Sequence, residues 1–442
     1  MTDAARPSGA PGPAREVGRG VLGALVVFAV VIGAVWWSAG TDDGESDGSG
    51  DPPTASSGPP LDEVERDQRA TELMQDLSTA WRHANPTDFA AAAGAAEAAH
   101  RWAQQVYDAL VDLRVAWMNL RYVAADAESV ADPDGFTADV EVRWEIASGP
   151  EHQTYRTAAV TVPMRFAYDG GDELSVLGLD AETDDPVPVW LTGPLAIETN
   201  RGGTCVAVPD SVDLEACGSL VEVAAADLAG VVATDETASH PVVVLVPAAD
   251  STAAMLLGQD VDDLVQIAAV TTTIDGSDSD RAPAQIVLNP AVFDELGPRA
   301  AQLVVSHEVT HAATGVTAAS MELWVAEGFA DYVALASGRI PVERAAGQIL
   351  AYVREHDVPE HLPTASEFAA HRHGLGRTYE AAWLVFRMLG EYYGDAAVVA
   401  FYDAVRAGTP VETALLDTVG LDVDGLTEAW QDYLTSLAGG AA

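Results

Sequence analysis

Hydrophobic spacing changes period twice along this chain, and each change restricts what it can fold into. Leu61, Val64, Leu73 or Met74, Leu77 and Trp81 recur at helical steps, and a second helical tract is expected from about Asp88 to Ala124. Alternation then takes over. Ala138, Val140, Val142, Trp144 and Ile146 interleave with polar residues, as do Val160, Val162, Met164, Phe166 and Tyr168, which is the period of half-buried antiparallel strands. Two short apolar runs follow, PVVVLVPA at Pro241 and AQIVLNP at Ala284, which read as buried strands, with helical spacing from Ala253 to Ile267 between them. From Pro298 onward the long segments are helical: Pro298 to Thr314, Glu322 to Ser337, Val342 to Glu355, Tyr379 to Tyr393, Asp395 to Ala407 and Leu426 to Leu437. The class is α+β. Residues 61–180 form an α+β unit, 181–235 a connecting region, and 236–442 a second domain with a small sheet and a helical half.

Ahead of the folded part lies VLGALVVFAVVIGAVWWS, Val21 to Ser38, an uncharged apolar run near the lower length limit for a transmembrane helix. Arg6, Arg15 and Arg19 precede it, and Asp42, Asp43, Glu45, Asp47 and Asp51 follow. The positive-inside rule then makes residues 1–20 cytoplasmic, 21–38 the single membrane helix, and everything after Gly40 extracytoplasmic. A cleaved signal peptide is the alternative, but Trp36 and Trp37 stand where a signal peptidase needs small residues. Residues 39–60, rich in Gly, Ser, Pro and Asp, read as a flexible linker.

Basic residues number 22 against 68 acidic ones, a balance that repels phosphate backbones, so no nucleic-acid partner is expected. The two cysteines, Cys205 and Cys217, are close in sequence and fall in a compartment that permits a disulfide; a pair of free buried thiols is the other reading.

The chemistry centres on VVSHEVTHAATG, Val304 to Gly315. Pro298 suits a first helical position and Gly315 a stop, so HEVTH occupies the last turns of one helix. His307 and His311 are one turn apart and can aim both imidazoles at one point, while Glu308 sits about a hundred degrees round, placed for a general base that does not itself ligate. A catalytic zinc needs a third protein ligand. A metzincin would have histidine where this chain has Thr317. Downstream, LWVAEGFADYVA puts Glu327 and Asp331 on one helix face, the first as ligand and the second to orient a histidine; Glu322 is the rival ligand at the helix start. Zinc suits this donor set, and cobalt or manganese fit the same geometry.

His307-Glu308-x-x-His311 followed by Trp324-x-x-Glu327-Gly328-Phe329-Ala330 resembles the gluzincin metallopeptidases, and within them the peptidase MA-like domains. The resemblance spans roughly Pro241 to Leu437. It implies that His307, His311 and Glu327 bind Zn2+, that Glu308 is the catalytic base, and that Asp331 supports a histidine ligand. In HRHGLGRTYEAAW, Tyr379 resembles the family's catalytic tyrosine, an oxyanion donor; His371, His373 and Arg377 are alternatives for that role. No Gly-x-Met-Glu-Asn segment precedes HEVTH, so the free-amine recognition of the aminopeptidases is missing. Residues 61–180, helices first and then a sheet, resemble an NTF2-like fold. The expectation is a membrane-anchored extracytoplasmic zinc metallopeptidase acting on a peptide or protein substrate. Its rival is a catalytically degenerate cell-envelope binding or scaffolding protein, for which Glu308 has no chemical use.

Overall fold

A computed structural model describes residues 25–27 and 61–439, apart from 149–153, 170–172, 181–182, 184, 211, 233–241, 278, 280–281, 317–320, 337–339 and 370–373. The linker and most of the expected membrane helix lie outside these residues. Within that apolar run, Leu25–Val27 (β1) is a strand where a helix was expected, pairing antiparallel with Ala269–Thr273. The physical reason is an open sheet edge: its unpaired N–H and C=O groups are satisfied by a neighbouring valine-rich segment. Among the described residues no helix is long and apolar enough to cross a membrane.

Three helices open the first core: α1 (Glu63–Arg82), α2 (Pro86–Ala92) and α3 (Glu97–Asp112). Asp62 caps α1 by accepting the Glu65 N–H, and Asn85 caps α2 ahead of Pro86. They pack on an antiparallel sheet of β2 (Val115–Ala125), β3 (Gly135–Ser148), β4 (Thr154–Tyr168) and β5 (Leu174–Leu179), paired in that order. The alternating residues read from the sequence form the inner face, buried except at its ends, where Ile146 and Tyr168 are half-buried: Val140 stands opposite Val162 and Val142 opposite Val160.

The long helical tract expected from Asp88 to Ala124 is instead two helices and a strand. Gly94, at φ +111°, turns the chain between α2 and α3 where an added Cβ would lie 2.5 Å from the Ser175 Cα. Beyond α3, Met118, Leu120 and Tyr122 alternate into the core from β2, so period two and not helical spacing governs that stretch.

The second core is built on β6 (Ala196–Thr199), β7 (Thr204–Val208), α4 (Glu215–Val231), β8 (Val243–Pro247), α5 (Asp250–Leu257), β9 (Ala269–Thr273) and β10 (Ala284–Leu288). Its sheet runs β1-β9-β10-β8-β7-β6, with β10, β8 and β7 mutually parallel and the outer pairings antiparallel. Much of the expected connecting region thus joins this sheet and its covering helix, and the Cys205–Cys217 disulfide ties β7 to α4 as the spacing suggested. The helical half follows: α6 (Pro290–Phe293), α7 (Pro298–Thr314), α8 (Leu323–Leu335), α9 (Val342–Ala345), α10 (Gly347–Glu355), α11 (Leu375–Tyr393), α12 (Asp395–Arg406), α13 (Val411–Thr418) and α14 (Val423–Gly439). One continuous apolar cluster runs from Val244 and Ile286 of the sheet through Val304 and Val309 of α7 to Phe329, Phe386, Phe401 and Trp430. α7 therefore lies inside the protein, between the sheet, α4 and α8.

Candidate metal centre

α7 starts on Pro298 and stops at Gly315, whose φ of +68° is the left-handed conformation that closes a helix. Enclosed on several sides, it buries apolar and polar residues alike, His307, Glu308 and His311 among them. Its rotation is fixed by polar ties to α4: Ser306 donates to Asp227 at 3.0 Å, and the Gln302 amide donates to the Leu220 carbonyl at 3.0 Å. α8 crosses in front with Glu327 and Asp331 one turn apart. Gly328, between them, lets α8 approach α11 closely; a Cβ there would stand 2.7 Å from the Ala382 carbonyl oxygen and 2.7 Å from Phe386.

These helices bring His307, His311 and Glu327 together. The two Nε2 atoms are 2.9 Å apart, and the Glu327 Oε2 lies 3.2 Å from that of His307 and 3.6 Å from that of His311. Ligand atoms of a tetrahedral zinc, at bonds of about 2.0–2.2 Å, stand roughly 3.3 Å from one another, so the three spacings bracket the required value. The other nitrogen of His307, Nδ1, is 2.9 Å from the Asp331 Oδ1. As a donor to that carboxylate, Nδ1–H leaves the Nε2 lone pair aimed at the shared centre.

The same carboxylates that would draw a metal ion here also draw a proton to His307, and the two compete for Nε2. Burial opposes charge on His307, but the Asp331 and Glu327 carboxylates outweigh it and push its pKa up to about 10. Burial also opposes ionisation of Glu327, yet the His311 and His307 rings hold its pKa down to about 2. Two imidazole nitrogens facing each other beside an ionised carboxylate ask for a cation between them, and the ligand set can hold a metal ion.

Glu308 stays off this trio. Its Oε2 accepts a hydrogen bond from the Thr271 hydroxyl at 2.5 Å, while its buried Oε1 has no hydrogen-bond partner. Burial raises its pKa, and the two histidines and Thr271 pull it back. Tyr379, near the start of α11, is buried with its ring centroid 6.5 Å from that of His307, edge-on to Phe368. Burial, then the charges of Glu327, Asp331 and Glu308, raise its pKa well above that of a free phenol, so the hydroxyl keeps its proton.

The rivals stand elsewhere. Glu322 is the exposed N-cap residue of α8 and accepts the Trp324 indole N–H at 2.6 Å. Arg377 places its guanidinium over the Tyr352 ring at 4.2 Å. His371 and His373 lie outside the described residues. Thr271 was invisible to sequence reasoning: it is the middle residue of a wholly buried strand, and its partner is 37 positions away. No known protein family, curated protein or solved structure matches this chain.

Proposed function

We propose that this chain is a zinc metallopeptidase of the gluzincin kind, held at a membrane by its N-terminal apolar run, which would have to release Leu25–Val27 from β9 to span the bilayer, with its folded domains outside. The observation that carries the reading is the convergence of His307, His311 and Glu327 beside a carboxylate, Glu308, that keeps one oxygen uncommitted. His307, His311 and Glu327 would hold the zinc ion, which would supply Lewis acidity toward a water and a peptide carbonyl. Glu308 takes the proton from the attacking water on Oε1 and returns it to the leaving amine, and its raised pKa suits both halves of that cycle. Asp331 fixes the His307 tautomer so that Nε2 and not Nδ1 faces the centre. Tyr379 keeps a phenolic proton to donate to the carbonyl oxygen as negative charge develops there. The charge asymmetry around Val21 to Ser38 supports the orientation.

The near-complete burial of all three ligands favours a second reading, a closed structural metal site in a cell-envelope binding or scaffolding protein. Incubating the full-length chain in detergent with a peptide library, with and without a chelator, separates the two. Cleavage that a chelator abolishes and added zinc restores is the expected result. Stoichiometric zinc with no cleavage of any peptide supports the closed site.

A further inference from the structure

Strand β9 passes behind the HEVTH helix and puts one side chain against its glutamate. The Thr271 Oγ1 lies 2.5 Å from the Glu308 Oε2 and 3.3 Å from the Glu308 main-chain oxygen, and both residues are fully buried. A hydroxyl has one proton to give, and the short contact is to the carboxylate, where the charge makes the stronger bond. Oε1 of the same carboxylate has no partner. The two oxygens of Glu308 are therefore unequal: one is tied to the sheet and the other, equally buried, has no hydrogen-bond partner.

We infer that Thr271 is the positioning residue of Glu308, holding the carboxylate by Oε2 so that it serves as a base and does not become a metal ligand; this rests on the metallopeptidase reading above. A glutamate has a soft terminal torsion, and beside a divalent cation an untethered carboxylate swings on to the ion. That swing would fill the coordination position that water and substrate need. The tie from β9 opposes it, and β9 is itself held by β10 along its whole length.

The test uses the full-length chain with Thr271→Val, which keeps shape and removes the hydroxyl, Thr271→Ser, which restores it, and Thr272→Val as a neighbouring control. Thr271→Val should lower kcat about ten- to a hundredfold, the cost of a misplaced catalytic group. KM should move no more than about threefold, because uniform substrate binding is untouched. Zinc should leave for excess chelator no faster than from the wild type, and more slowly where Glu308 has become a fourth ligand. Thr271→Ser should recover kcat to within about threefold, and in a Glu308→Gln background Thr271→Val should change kcat little, since the two act as one unit.

A wild-type kcat in Thr271→Val overturns the assignment, and so does faster zinc loss, which would mark Thr271 as a packing residue. If the valine variant fails to fold, Thr271→Ala and Thr271→Ser give the same comparison, and a serine variant as crippled as the alanine one overturns it too. An active wild type with an indifferent Thr271 removes this inference alone. A zinc-loaded wild type that cleaves nothing removes the metallopeptidase reading and this inference with it.

Discussion

Glu322 and Glu327 are both carboxylates at the N-terminal end of α8, and their partners separate them. Glu327 is buried against two imidazoles, whereas Glu322 is held by an indole N–H outside the centre. Glu327→Ala should therefore abolish stoichiometric zinc binding, a larger loss than the roughly 10–100-fold that follows removal of a ligand's supporting partner. Glu322→Ala should retain zinc. Elemental analysis of the two purified variants decides it, and metal content that follows Glu322 would overturn the ligand set. Helical spacing made His307, Glu308 and His311 legible as one group and Glu327 and Asp331 as another, and the resemblance to the gluzincins joined the two. Thr271 was not legible, because nothing in a strand's own residues says which distant side chain its hydroxyl will meet.

Among the elements, periodicity read well wherever one face was buried and one exposed, as in β3 and β4. It failed at β9, whose five residues are all buried and offer no alternation, and at β2, where a helical reading of the alanine-rich tract before it ran on too far. The joining of α8 to α11 was likewise hidden, although the glycine that permits it was in plain view. A methyl group on Gly328 gains about 1 kcal/mol of helix propensity. It also meets the Ala382 carbonyl oxygen at 2.7 Å, a backbone atom that no rotamer change can move aside. Overpacking of that kind costs about 1–3 kcal/mol, so the clash outweighs the propensity. Gly328→Ala should lower the urea midpoint and weaken zinc retention together, because α8 carries Glu327 and α11 carries Tyr379. An unchanged midpoint would show that the two helices can part without cost.

As a whole the molecule divides its labour between two cores. The helix-and-sheet core of α1 to α3 and β2 to β5 contributes no ligand to the centre among the described residues, whereas the second core supplies all of them from α7 and α8. Composition had made the acidic character plain, and spacing had suggested the disulfide, which here braces the sheet against the helix that in turn holds α7. The order of the strands was beyond reach, since parallel pairing of β7, β8 and β10 depends on crossovers that no local pattern records. The claim on which everything else depends is that Glu308 is a base beside a bound metal and not part of the site's scaffolding. Glu308→Gln keeps the size of the side chain and its acceptor for Thr271 but cannot take a proton. The decisive measurement is zinc content and peptide turnover on the same preparation of that variant: bound zinc equal to wild type with turnover reduced about a hundred- to ten-thousandfold is the predicted result, and zinc retained with turnover undiminished would contradict the account.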